Sequence, residues 1–117
     1  MPSLSELYNE HEKLKDEGKY EEAIAELNEA LEQDENFVMA HLGLSVLYGE
    51  INQHDKAVSH GQRACDLDPN DPFNFTAMSV TCQRASQGVD NAADNAKFIR
   101  MAEDAMARAH ALQGHAH

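Results

Sequence analysis

Seven histidines (His11, His41, His54, His60, His110, His115 and His117) and two cysteines (Cys65 and Cys82) are the side chains of this 117-residue chain best suited to hold a metal or attack a substrate. A zinc site needs three or four ligands converging on one point. His54 and His60 lie six residues apart, which on a helix turns them to opposed faces. His115 and His117 fall in a terminal tail, where two imidazoles alone hold a divalent ion only weakly. Neither a metal nor a cofactor is expected. Asp66, Asp68 and Asn70 imitate the opening of a calcium loop, but Asp71 stands where glycine must make the sharp turn and Ala77 where a bidentate glutamate belongs. A catalytic cysteine requires an electropositive, partly exposed niche. Cys65 and Cys82 instead fall within helical patterns among apolar neighbours, as small buried hydrophobes do. One belongs late in a helix and the other midway along the next, antiparallel one. That separation exceeds the roughly 7 Å a disulfide spans, so two free thiols are expected. Paired carboxylates, a glycine-rich phosphate loop and triad-like spacing are all lacking, and the chain reads as a non-enzyme.

The charge is more informative than these groups. Net charge is −12, and residues 1–36 alone carry twelve acids against three lysines, a balance of −9 that leaves −3 for the rest. Such a field repels nucleic-acid backbones and anionic lipid, and steers basic peptides or basic protein faces toward it. Its simplest role is a solvated face that confers solubility. The longest apolar stretch, residues 37–51, is interrupted by His41, Gly43, Ser45, Gly49 and Glu50, and falls short of the roughly 20 apolar residues that span a bilayer. Met1 to Glu10 lacks the basic-then-apolar order of a secretion signal. The expected location is cytoplasmic, and the length suits one domain.

The elements that would position these residues repeat. A shift of 34 residues superposes Leu7, His41 and Phe75; Leu14, Tyr48 and Cys82; Ala23 and Ala57; Ala30 and Ala64; Asp34 and Asp68. Within the first unit, Leu4, Leu7, Tyr8, His11 and Leu14 recur at helical spacing behind a Ser3–Glu6 capping box. After a break at residues 15–18, Tyr20, Ala23, Ile24, Leu27, Ala30 and Leu31 form a second stripe, so a helical hairpin results. Ala23 and Ala30, echoed by Ala57 and Ala64, are small where two helix axes approach closely. The second unit opens near Asn36–Val38 with a helix that is apolar almost all round, the mark of a sandwiched element. Its partner runs from His54 to Leu67 and ends at two prolines, where Asp71 can cap a helix starting at Pro72. The third unit starts on schedule, but its small residues, Ala102 and Ala109, arrive eleven residues late. The extra length, Ala85 to Asn95 with Gly88, Asp90 and Asp94, reads as a longer connection with an extended helix end. A last helix is expected over about 95–112, with a fraying tail after Gln113.

The run Gly18-Lys19-Tyr20-Glu21-Glu22-Ala23-Ile24, followed by Leu27, Ala30, Leu31 and Asp34, closely resembles the second half of a tetratricopeptide repeat. The second unit is similar through Leu44, Tyr48, Ala57, Ala64, Asp68, Pro69 and Asn70, with Gly61 where a larger residue is usual and Asn52 replacing the turn glycine. The third matches in its first helix and in Ala102 and Ala109, and its insertion departs from the pattern. The resemblance covers residues 4–112. It implies an all-α fold: a right-handed α-α superhelix of six helices in three antiparallel hairpins, one domain with repeats at 4–37, 38–71 and 72–112 and a tail at 113–117. Three repeats lie near the lower limit for a stable stack. The polar side of the last helix, with Lys97, Arg100, Glu103, Asp104 and Arg108, is expected to cap it.

The resemblance also implies a scaffold whose first helices line a concave groove for an extended peptide or a helix. Some relatives clamp the terminal carboxylate of chaperone tails with lysines, an arginine and asparagines. The matching faces here (Ser5, Tyr8, Asn9 and Glu12; Met39, Leu42, Gly43 and Val46; Phe73, Thr76, Ala77 and Val80) lack the basic residues, and no such clamp is expected. They offer instead an apolar strip, and the candidate groove residues are Tyr8, Asn9, Glu12, Met39, Leu42, Val46, Phe73, Thr76 and Val80. A partner protein or peptide with basic residues beside apolar anchors would cover it. The alternative is a homodimer, or larger assembly, that buries the groove against itself. Part of the strip would also be consumed by packing between helices.

Overall fold

The computed structural model describes residues 1–114, all of its regular structure helical: α1 (Leu4–Asp16), α2 (Tyr20–Gln33), α3 (Val38–Glu50), α4 (His54–Leu67), α5 (Pro72–Gly88) and α6 (Ala92–Gly114). His115 and His117 lie outside the described residues. Consecutive helices pack as antiparallel pairs, the second helix of each pair meets the first of the next, and α1, α3 and α5 stack side by side. The body measures 40 × 40 × 22 Å.

Local chemistry sets each boundary. Ser3 and Glu6 close a reciprocal capping box, each side chain bonded at 3.1 Å to the other's backbone N–H, which satisfies two of the donors a helix start leaves orphaned. Gly18 turns the chain between α1 and α2 at φ +77°, and Asn52 does the same between α3 and α4 at φ +63°. Asparagine is one of the few residues that tolerates this left-handed conformation. Asp71 caps α5, its carboxylate accepting from the Phe73 N–H at 2.9 Å, with Pro72 at the first helical position.

The core divides in two. Leu7, Leu14, Ile24, Leu27, Leu44 and Leu47 pool the apolar faces of α1, α2 and α3. Val58, Cys65, Met78, Cys82, Phe98 and Ala102 do the same for α4, α5 and α6. Two glycines allow the close crossings: a Cβ on Gly43 would stand 2.7 Å from Leu27 Cδ1, and one on Gly61 would stand 2.9 Å from Met78 Sδ. Met78 thus takes the space that a larger residue at position 61 would fill. Both cysteines are free and buried.

The third unit corrects the expectation of a long connection at 85–95. Residues 89–91 join α5 to α6, the same length as the 51–53 link between α3 and α4. The eleven extra residues are all helix. Four of them lengthen α5, which has 17 residues against 13 in α3. The other seven open α6, where Ala102 stands at the eleventh position while its counterpart Ala57 stands at the fourth of α4. Of the residues that suggested a loop, Gly88 ends α5, Asp90 lies in the short link, and Asp94 stands in the first turn of α6, its carboxylate accepting from the Asn91 side chain at 2.9 Å. Asn91 accepts from the Asp94 N–H at 2.7 Å, and Asn95 donates to the Ser86 carbonyl at 2.7 Å, tying the hairpin shut. Ala92, Ala93 and Ala96 are strong helix formers, and burial of Ala85, Ser86 and Phe98 anchors the added turns. The last helix accordingly starts at Ala92 instead of Asn95 and runs through Gly114 instead of ending at Leu112, and the rest of the expected tail lies outside the described residues.

Candidate protein-binding surface

The apolar groove residues stand on the α1, α3 and α5 row, and they divide by exposure. Phe73 is 63 % exposed, Val80 56 %, Met39 45 % and Val46 44 %. Among the described residues the only other exposed large apolar side chains are Met1 and Ile99, so the exposure is concentrated and not scattered. Met39 and Val46, like Phe73 and Val80, lie two helical turns apart, which places each pair on one face of its helix. Val46 and Val80 meet across a cleft of about 60 Å³ between α3 and α5, shared with Ser45, Gly49, Thr81 and Arg84. Leu42 is half-buried, as is Thr76, whose hydroxyl donates to the Pro72 carbonyl at 3.1 Å and is turned back onto its own helix.

On α1 the picture differs. Asn9 and Glu12 are exposed, but Tyr8 is half-buried against the core, edge-on to His11 at 4.5 Å and to Phe37 at 6.3 Å between ring centroids. Burial, with the Glu12 carboxylate nearby, raises its phenol above the usual pKa. Tyr8 therefore contributes an edge to the surface, not a free ring, and α1 offers a polar, acidic border.

Arg84 was not among the expected groove residues. It closes the carboxyl-terminal end of the strip, its Nη1 3.1 Å from Glu50 Oε1, with its chain lying across Gly49. The signal was available, since Glu50 and Arg84 are 34 residues apart and so occupy equivalent places on adjacent stacked helices. The pair is partly exposed and worth little to stability, but it sets a charged stop beside an apolar floor.

The groups that could do chemistry are engaged otherwise. His41 Nε2 donates to the Glu35 carbonyl at 2.9 Å, and its Nδ1 pairs with His60 Nδ1 at 3.0 Å. A carbonyl only accepts, so in the neutral pair the shared hydrogen belongs to His60. That ring stacks on Tyr48 at 5.6 Å and 10°, and burial, His41 and Lys56 all push its pKa down. His11 is 2 % exposed and donates through Nδ1 to the Tyr8 carbonyl. No group of three or more His, Cys, Asp or Glu among the described residues is arranged to hold a metal ion. Burial pushes both thiols up to about 11, which keeps them protonated at neutral pH and removes the thiolate a nucleophile requires.

Stacked helical hairpins at a 34-residue period, with exposed apolar side chains on the first helices of the second and third, define a helical-repeat solenoid. Residues 12–52 match the TPR repeat and residues 40–71 match the tetratricopeptide repeat, and the chain belongs to the tetratricopeptide-repeat family. Its members are in general protein–protein interaction modules without catalytic activity. No curated protein matches the chain significantly. Among solved structures, the crystal structure of a thermophilic TPR protein from Thermus thermophilus superposes with a TM-score of 0.79 at 13 % identity, over 94 % of this chain. That likeness speaks for the fold, third hairpin included. The chain spans 57 % of the length of that protein. No helix among the described residues is long and apolar enough to cross a membrane.

Proposed function

We propose that this chain is a cytoplasmic adaptor that holds a peptide or helix of a partner protein on the α3–α5 face, anchored on Met39, Val46, Phe73 and Val80. The observation that carries the reading is the grouping of these four exposed apolar side chains on one face, next to half-buried Leu42. Covering half-exposed side chains of this size contributes about 1 kcal/mol each, roughly half of what micromolar binding requires, so the partner's remaining contacts and charges must supply the rest. The acidic first hairpin, where residues 1–36 carry −9, steers partners with lysine or arginine next to their apolar anchors toward the protein. The buried, protonated thiols suit a reducing compartment.

A displayed library of random peptides tests this directly. Selection against the wild-type protein should enrich peptides that combine two or more large apolar residues with basic ones. Val46→Glu and Phe73→Glu, at exposed positions that leave the fold intact, should each weaken the selected peptides by about tenfold or more. Raising salt should weaken them further through the acidic border. Enrichment that survives both substitutions would remove the α3–α5 face from the proposal.

A further inference from the structure

Within the stack, each hairpin's groove receives the first helix of the next. Leu44 of α3 is fully buried against Leu27 of α2, at the crossing that Gly43 permits. Met78 of α5 enters the α3–α4 groove over Gly61 and Ser45, and Thr81 bonds Ser45 Oγ at 2.9 Å. The third groove, between α5 and α6, has no such occupant among the described residues. It is a cleft of about 250 Å³ lined by Ser79, Gln83, Ile99, Ala102, Glu103 and Met106. Ser79 and Met106 are the counterparts of Ser45 and Gly61. The expected polar cap is therefore incomplete: the edge of α6 that faces along the stack carries Ile99, 43 % exposed, and half-buried Met106 beside Glu103.

We propose that this open end is an interface for a second copy of the chain, two α5–α6 hairpins meeting about a twofold axis. The charge distribution selects this occupant. Residues 72–117 hold four basic and four acidic side chains, so all of the −12 resides in residues 1–71. Two neutral hairpins meet without repulsion, and the acidic ends point away from each other. Head-to-tail stacking is blocked, because the α1 residue in register with Leu44 and Met78 is Glu10, an exposed carboxylate that would be buried without a partner. An isologous pair is what remains. With 17 residues in α5 and 23 in α6, the face measures about 30 by 20 Å, and the pair would bury roughly 1,200 Å². That is the lower end of the range for specific association, so the dimer should dissociate in the range of about 10–100 µM. The inference is independent of the α3–α5 binding face.

Sedimentation velocity from about 5 to about 500 µM tests it with three proteins. The wild type should pass from the 13.0 kDa monomer toward twice that mass. Ile99→Glu combined with Met106→Glu should stay monomeric with unchanged helical circular dichroism, and Val46→Glu with Phe73→Glu should associate as the wild type does. An Ile99→Cys variant supplies a readout that does not depend on the double substitution folding: a bis-maleimide with a flexible spacer long enough to cross the face should link it into dimers through position 99, the native thiols being buried. A wild type that stays monomeric throughout, association that persists in the Ile99→Glu, Met106→Glu protein, or an Ile99→Cys protein that yields no cross-linked dimer would overturn the proposal.

Discussion

Replacing Gly88 by alanine should destabilise the protein, and should do so only while His54 is present. His54 opens α4, is 8 % exposed, and has neither ring nitrogen hydrogen-bonded. The last residue of α5 lies directly against it: a Cβ on Gly88 would stand 2.1 Å from Nε2, 2.7 Å from Cδ2 and 3.0 Å from Cε1. Non-bonded carbon atoms rest at about 3.5–4.0 Å, so the methyl and the ring cannot share the space, and a buried ring has little room to retreat. Overpacking of this kind costs about 1–3 kcal/mol. The gain in helix propensity offsets at most about 1 kcal/mol, and less at a helix end. A net loss of about 1–2 kcal/mol is expected for Gly88→Ala. In a His54→Ala background the added methyl enters the space the ring vacated, and the same change should be neutral or stabilise by up to about 1 kcal/mol. The coupling between the two sites is then about 1–3 kcal/mol, above the few tenths seen for independent sites. Urea unfolding of the wild type, both single variants and the double variant, with matching m-values, measures it. His54→Leu adds a control, since removing two orphaned buried nitrogens should stabilise by about 1 kcal/mol or more. Additive single effects, or a Gly88→Ala loss that persists without the ring, would refute the reasoning and mean that the end of α5 yields easily.

Three further outcomes are expected. Burial holds His11 and His60 below their ordinary pKa of 6.5, so below pH 6.5 the unfolded chain binds protons that the folded one refuses. Stability should fall with pH there, by up to about 1.4 kcal/mol per unit for each histidine, and these residues should contribute no slope above pH 7. Melting curves from pH 5 to 8 check the sign, and a flat profile would contradict it. Cys65 and Cys82, pushed up to about 11 and 3 % or less exposed, should react with a disulfide reagent at neutral pH only as fast as the protein opens, and at full rate in denaturant. Asn52→Gly should raise stability slightly, by a few tenths of a kcal/mol in thermal unfolding, because φ +63° is free for glycine and strained for asparagine.

Much of this architecture is legible from spacing alone. The capping box, the ends of α4 and the Asp71–Pro72 start of α5 follow from local chemistry that no tertiary contact overrides. Period arithmetic also finds eleven surplus residues in the third unit but cannot say where the chain spends them. Gly88, Asp90 and Asp94 look like loop formers, and only packing against Phe98 and the Asn95–Ser86 bond reveal added helical turns. For the binding strip, register picks the right faces of α3 and α5. It could not foresee that Tyr8 leans into Phe37 and His11, nor that Leu42 is half withdrawn, because exposure depends on neighbours from another hairpin. The ring pair His41–His60 was invisible for the same reason: its partners are 19 residues apart and meet only when α3 and α4 cross.

The division of the core has a consequence for cooperativity. Large apolar side chains of α3 are pooled with α1 and α2, and those of α4 with α5 and α6, whereas α3 meets α4 through Gly61, Ser45 and the stacked rings of His41, His60 and Tyr48. The unit that repeats in sequence is thus out of phase by one helix with the unit that packs. Duplication copies hairpins, but the large side chains are shared in threes, so each cluster borrows one helix of the middle hairpin, and α3 packed on α4 ties the two clusters together.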